Sequence, residues 1–289
     1  MHAFASRCAS GCCWGPAPEP GLFRPYNDRM AKAHQIAQWM RSQLSSAAAR
    51  GFVVGLSGGV DSAVVARLAQ MAAPGGVVAA LLPCHSDPQD EQDAMSVATL
   101  YSLPTIRIDL STTYDTIVAD AEPALRFATS YAETGGGASD HLRSRVPAAN
   151  IKPRLRMTSL YFIANTLNYL VAGTGNRSEL AIGYFTKYGD GGVDLLPIGH
   201  LLKREVRELA RELRVPDHIV NRPPSAGLWP GQTDEEEMGF GYAELERYLE
   251  EGPQAIAPAL AMRIERLTRR NDHKRVPPPM PDEQGGGKY

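Results

Sequence analysis

Six consecutive residues, Ser57, Gly58, Gly59, Val60, Asp61 and Ser62, set two hydroxyls, two glycines and a carboxylate in a span able to hold a phosphate group. Gly58 and Gly59 allow positive φ, so backbone N–H groups can converge on an anion, and Ser57 and Ser62 add hydroxyl donors. Asp61 fits this chemistry on one condition. A carboxylate beside a phosphate repels it unless a divalent cation stands between them, so Asp61 implies Mg²⁺. A second carboxylate, Glu179, closes the polar string Gly173-Thr174-Gly175-Asn176-Arg177-Ser178-Glu179. Alone it reads as an ordinary first-turn helix acid; paired with Asp61 it supplies the second carboxylate for Mg²⁺. Lys152, Arg154 and Arg156 cluster on the first turns of a helix, where cations oppose the macrodipole, so an anionic ligand or a partner acid is expected to offset them.

These groups need elements to hold them. Phe52, Val53, Val54 and Leu56 suit a buried strand, and Val60, Val64, Leu68 and Met71 recur at helical spacing. The serine-glycine turn therefore sits at a helix N-terminus, where the macrodipole favours phosphate. On spacing alone a plain strand-to-helix turn is an equal reading. A helix over residues 29–49, with Ile36, Met40, Leu44 and Ala47 on one stripe, precedes the first strand. Further strands are predicted at Val77 to Leu82, Thr105 to Leu110 and Tyr169 to Ala172, with a helix opening at Gln89. Dipole compensation suffices for Asp90, Glu91 and Asp93 in that helix's first turn. The alternation predicts an α/β protein with a doubly wound parallel sheet, helices on both faces, and ligands at the carboxyl ends of the strands.

Three irregular stretches follow from glycine and proline content. Residues 130–142, with Gly135-Gly136-Gly137, read as a mobile loop; 183–198 is too aromatic and charged for a mere linker; 223–235 has the length of a lid. Thr233 with Glu236 fits a capping box for the next helix. Amphipathic helices are expected over 201–213, 242–250 and 258–269. The basic end, His273-Lys274-Arg275, taken alone is a frayed tail.

Composition narrows the class. The chain has 289 residues, 43% hydrophobic and 21% charged, with a formal net charge of −2, the profile of one ordinary globular domain with no basic surface for nucleic acid. One domain is expected over 29–280, with a flexible tail at 281–289. Residues 1–28 are rich in Pro, Gly and Cys and lack a continuous apolar core of a signal peptide; they read as a disordered extension or an over-long start, with Met30 the true beginning. Cys8, Cys12 and Cys13 fit no metal spacing and Cys84 stands alone, which suits a reducing cytoplasm. No stretch reaches the length of a membrane span.

The string Ser57 to Ser62 resembles the signature loop of the ATP pyrophosphatase superfamily, whose members cleave ATP to AMP and pyrophosphate while adenylating a substrate. With Gln89 to Ala94, Asn150 to Met157, Gly173 to Glu179, Gly183 to Ile198, Lys203, Pro224 to Glu235 and His273-Lys274-Arg275, in that order over about residues 30–280, the chain resembles NAD synthetase of the ammonia-dependent type. Pro153 departs from the alanine usual there and is expected to shift Arg154. The resemblance implies an adenine nucleotide alpha hydrolase-like, Rossmann-like fold. It also implies amidation of nicotinic acid adenine dinucleotide (deamido-NAD) with ammonia at the expense of ATP, and a homodimer sharing its active sites. It includes no amidohydrolase part, so free ammonia, or ammonia from another protein, is the expected nitrogen source.

Residue by residue, the resemblance implies phosphate contacts for Ser57, Gly58, Gly59, Val60, Ser62, Lys203 and Ser225, ATP contacts for Gln89 and Thr174, and Mg²⁺ ligation by Asp61 and Glu179. Arg154, Lys187, Asp194, His273 and Lys274 match positions that grip deamido-NAD. Asp190, with Lys203 and Ser225 counted as catalytic, holds the incoming ammonium or takes its proton. Two alternatives stay open. Another amidotransferase or a tRNA-thiolating enzyme of the superfamily is one, although a thiolase would want cysteine pairs near the loop and a basic surface. The other is a silent nucleotide sensor, which would show loss of Asp61, Glu179 or Lys203; all three are present.

Overall fold

The computed structural model describes residues 30–132, 145–225, 227–229 and 231–281. The predicted extension with Cys8, Cys12 and Cys13, the Gly135-Gly136-Gly137 loop and nearly all of the tail lie outside these. Helix α1 (Ala31–Ser46) leads into strand β1 (Phe52–Gly55), α2 (Val60–Ala72), β2 (Val77–Leu81), α3 (Pro88–Leu100) and β3 (Thr105–Arg107). Next come α4 (Ser111–Ala132), the short α5 (Arg145–Ala149), α6 (Ile151–Leu167) and β4 (Leu170–Val171). The four strands are parallel in the order β3-β2-β1-β4. β1 thus has neighbours on both sides that leave it in opposite directions along the sheet, which makes its carboxyl end a topological switch point.

Strand side chains alternate between two cores. Phe52, Val54, Val77, Ala79 and Leu81 face α1, α2, α3 and the later helix α8 (Lys203–Glu212). Val53, Val78, Ala80, Leu82 and Val171 face α4 and α6. That period of two, with apolar residues on both sides, is why β1 reads as an unbroken apolar run. Fully burying Phe52, Val53, Val54 or Leu68 stabilises by roughly 1.5–3 kcal/mol each, so the loop at the end of β1 rests on a rigid base.

The parallel, helix-flanked sheet expected from the sequence is present, with shorter strands. β3 stops at Arg107 instead of Leu110, and β4 has two residues, extended by a parallel bridge from Ala172 to Leu195. A third apolar cluster lies away from the sheet. It joins Ile182 of α7 (Arg177–Ile182) to α10 (Asp234–Met238), α11 (Tyr242–Glu251) and α12 (Pro258–Arg270), through Met238, Phe240, Leu245 and Ile264. The small helix α9 (Asp217–Val220) packs Ile219 and Val220 into the first core. Among the described residues no helix is long and apolar enough to cross a membrane.

Candidate active site

The loop after β1 is braced by its own hydroxyls. Ser62 Oγ donates to Gly59 O at 2.9 Å and accepts from Ser57 N at 3.3 Å, and Gly59 N donates to Ser57 Oγ at 3.3 Å. Ser62 is buried, so it shapes the loop from inside. Gly58 adopts φ +78°, and a Cβ there would lie 2.4 Å from Asp90 O, so only glycine fits. Gly59, the N-cap of α2, is extended and offers no side-chain cap, which leaves the first N–H groups of α2 directed at the loop's concavity.

Asp61 lies in the first turn of α2 and meets residues from two distant segments. Lys203 Nζ is 2.5 Å from Asp61 Oδ2 and 3.4 Å from Glu179 Oε1. Asn176 caps α7 and ties the carboxylates together. Its side chain donates to Asp61 Oδ1 at 3.1 Å and accepts from Glu179 N at 3.1 Å, while its backbone N–H donates to Glu179 Oε2 at 3.3 Å. Glu179 is therefore both the helix acid of the bland reading and a partner of Asp61.

The electrostatics of this group follow from its burial. Desolvation pushes the Glu179 carboxyl up to about 7, with Asp61 and Asp234 adding to the rise and Lys203 opposing it. Burial works against the Lys203 ammonium, yet Asp61 and Glu179 outweigh it and hold that group above the ordinary lysine range. Two further residues complete the cluster and escaped the sequence reading. The Tyr242 hydroxyl lies 2.9 Å from Asp234 Oδ2 and 3.4 Å from Glu179 Oε1, and its ring centroid is 5.4 Å from Lys203 Nζ. Asp234 is buried and also meets the Tyr184 hydroxyl at 3.2 Å. Asp234 has as its only local signal the acidic run opening α10, which looks like ordinary helix chemistry, and Tyr242 has none.

The second predicted group gathers around the loop 183–198. Arg154 Nη2 donates to Lys187 O at 3.3 Å, and Lys187 Nζ donates to His273 O at 2.5 Å. Lys274 Nζ donates to Gly183 O and Phe185 O, each at 2.8 Å, while Arg275 Nη1 reaches Ala181 O at 3.0 Å. The basic end is thus docked on α7 as a short 3₁₀ turn, Asp272–Lys274, and is no frayed tail. Asp190 Oδ1 accepts from Thr186 N at 2.9 Å. Asp194 is engaged within the fold, accepting from Val171 N at 2.8 Å and from the Tyr161 hydroxyl at 2.9 Å. Thr174 is half-buried beside β4, and Ser225 Oγ accepts from Gly227 N at 3.1 Å.

Two expectations need correction, and the cations opening α6 gain partners within the fold. Asp90 and Asp93 do more than compensate a dipole: Arg222 bridges them at 2.6 and 3.2 Å, and the Gln89 amide donates to Asp93 Oδ1 at 2.8 Å. Thr233 accepts from Glu236 N at 3.4 Å, which is half of the expected capping box. The cations opening α6 are offset by carbonyls. Lys152 Nζ donates to Leu228 O at 2.7 Å and Arg156 Nε to Leu82 O at 3.1 Å, and burial lowers the pKa of both cations. α6 runs unbroken through Pro153 because that residue occupies the first turn, where its missing N–H has no intrahelical acceptor.

A parallel helix-flanked sheet with a braced anion loop and two carboxylates at its switch point defines a nucleotide-binding enzyme of the adenine nucleotide alpha hydrolase-like fold. The model of the NAD synthase family matches residues 32–278, and the chain belongs to that family. It is 47% identical over 250 residues to an NH(3)-dependent NAD(+) synthetase of Carboxydothermus hydrogenoformans, a match covering 86% of this chain and 96% of the relative. Among solved structures it resembles an NMN synthetase from Francisella tularensis (TM-score 0.76, 35% identity, 88% of this chain and 98% of that one). It also resembles an NH3-dependent NAD synthetase from Campylobacter jejuni (TM-score 0.68, 26% identity, 89% and 98%).

Proposed function

We propose that this protein amidates the nicotinate carboxylate of deamido-NAD with ammonia, consuming ATP and releasing NAD⁺, AMP and pyrophosphate. The observation that carries the reading is the convergence of Asp61, Glu179 and Lys203 beside the Ser57–Ser62 loop in a chain of this family. A carboxylate is a poor electrophile toward an amine, so it first attacks the ATP α-phosphorus to become an acyl adenylate. The chain's part is to hold the triphosphate and spread the charge on the leaving pyrophosphate.

In this reading the backbone of Gly58, Gly59 and Val60, the N-terminus of α2, and Ser57, Ser62, Lys203 and Ser225 receive the phosphates, with Gln89 and Thr174 on the remainder of ATP. Arg154, Lys187, Asp194, His273 and Lys274 orient deamido-NAD, and Asp190 takes the proton of the incoming ammonium. Asp61 and Glu179 suit Mg²⁺, which binds through one or two carboxylates together with substrate phosphates and not through a closed protein cage. Among the described residues no group of three or more His, Cys, Asp or Glu forms such a cage. Bound there, Mg²⁺ supplies charge neutralisation for the departing pyrophosphate.

We propose residues 29–280 as one catalytic unit acting as a homodimer in the cytoplasm. Ile117 and Leu125 on α4 and Phe162 on α6 are large exposed apolar side chains on two helices of one sheet face, and Phe162 is 71% exposed. A second copy covering that face would place the cationic start of α6 at the subunit boundary. Cys84, buried and in no disulfide, suits a reducing compartment.

The likeness to an NMN synthetase supports a second reading in which the acid substrate is the mononucleotide. One assay separates the two. NAD⁺ formation is followed with deamido-NAD, ATP and Mg²⁺, with ammonium or glutamine as nitrogen source, beside parallel reactions on nicotinic acid mononucleotide. Amidation of deamido-NAD with ammonium only is the expected result. Higher kcat/KM on the mononucleotide replaces the first reading with the second.

A further inference from the structure

The two carboxylates assigned to the metal already share a cation. Lys203 Nζ touches Asp61 Oδ2 at 2.5 Å and Glu179 Oε1 at 3.4 Å, and its side chain is 5% exposed, less than either carboxylate. We propose that Lys203 is the resident counterion of this pair: it holds Asp61 and Glu179 together in the metal-free protein, yields them on loading, and is thereby released to neutralise the triphosphate. The proposal rests on the reading that Asp61 and Glu179 take the divalent cation.

Four observations carry it. First, one buried ammonium lies against both carboxylates and already neutralises the pair, so a divalent cation entering between them meets a resident positive charge and loading is an exchange. Second, Lys203 is the first residue of α8, where a cation is opposed by the macrodipole, so its position is accounted for by the carboxylates and not by its own helix.

Third, the backbone stays while the side chain can leave. Lys203 N donates to Ser178 Oγ at 3.2 Å, and Val206, Leu209 and Ala210 of the same helix are buried in the core shared with α2. The helix is fixed beside the phosphate loop, and a flexible four-carbon stem swings its ammonium from the carboxylates toward that loop. Fourth, the ammonium has a partner that is no carboxylate: the Tyr242 ring centroid lies 5.4 Å from Nζ and accepts a cation whatever the carboxylates bind. In consequence the metal alone competes with an internal cation, whereas metal and triphosphate together give that cation a new partner.

The test measures metal binding without turnover. Mn²⁺ binding to Lys203→Met is followed by electron paramagnetic resonance in the absence of nucleotide. Removal of the internal competitor should tighten binding by about tenfold or more relative to wild type, because the competent carboxylate pair is no longer only fractionally available. Affinity that is unchanged or weaker overturns the exchange. Should that variant not fold, wild type decides: acetylation of Lys203, read by peptide mass spectrometry, should accelerate on adding Mg²⁺ alone, and an unchanged rate overturns the proposal. Asp61→Asn separates the two levels of the argument. Mn²⁺ binding that survives this change puts the metal elsewhere and removes the underlying reading as well; binding that depends on Asp61 but not on Lys203 removes the exchange alone.

Discussion

Gly58 presses its α-carbon against the backbone carbonyl of Asp90, so closely that a methyl group on it would lie 2.4 Å from the oxygen. The phosphate loop is thereby seated on the first turn of α3. Gly58→Ala therefore meets both a strained φ of +78° and a backbone clash. The left-handed conformation alone costs about 1–2 kcal/mol, and relieving the clash must move the loop. We expect urea denaturation to show a loss of that order and pyrophosphate release to fall about a hundredfold. Wild-type release would mean that the loop geometry does not govern phosphate binding.

Asp61→Asn keeps the size of the side chain and the possibility of a contact with Asn176, but removes the charge that a metal needs. The variant should stay folded by circular dichroism, while substrate-dependent pyrophosphate release drops at least about a hundredfold, the scale of losing one electrostatic stabiliser. Turnover at the wild-type rate would sink the assignment of Mg²⁺ to this carboxylate.

Lys152 binds the 223–235 loop through the Leu228 carbonyl at 2.7 Å. Two effects compete in Lys152→Met: a charge-assisted hydrogen bond is lost, worth about 1.5–3 kcal/mol, but the cost of burying an ammonium disappears with it. Global stability is therefore expected to change little. Local opening should increase instead. Amide exchange at Gly227, Leu228 and Trp229 is the measurement, with exchange about tenfold faster expected for a loss of roughly 1.4 kcal/mol of local stability. Unaltered exchange there would show that Lys152 does not restrain the loop.

The pH dependence of the metal-free protein follows from Glu179. Its carboxyl is pushed up to about 7 in the fold from 4.5 for a free glutamate, chiefly through burial. An acid with a raised folded pKa binds more protons in the folded state. Its contribution to stability is fully present below pH 4.5 and is lost as pH rises through about 7. Thermal unfolding between pH 5 and 8 should show that loss in wild type and a shallower slope in Glu179→Gln. Identical slopes would remove Glu179 from the titration.

The sequence made the sheet and the anion loop legible because both are local. An apolar run, two glycines and a helical stripe within twenty residues describe β1, its loop and α2 without reference to the rest of the chain. Long-range charge pairing left no such mark. Asp93 and Arg222 are 129 residues apart, and nothing in the spacing around Gln89 says that a guanidinium will arrive to bridge Asp90 and Asp93 on that helix. Tyr242 is equally silent in sequence, since an aromatic residue opening an amphipathic helix reads as packing. Asp194 shows the same silence from the other side: the motif match that points it at a ligand says nothing of the hydrogen bonds its two oxygens accept from Tyr161 and Val171.

Tyr242 stands with its hydroxyl between Glu179 and Asp234, and Asp234 is the first residue of α10, where the irregular segment before it ends. The segment that leads into α10 and the carboxylate of Glu179 therefore share one hydroxyl. One phenol thus makes the start of α10 and the capping acid of α7 a single hydrogen-bonded unit, so the spacing of these two short helices is fixed at one oxygen.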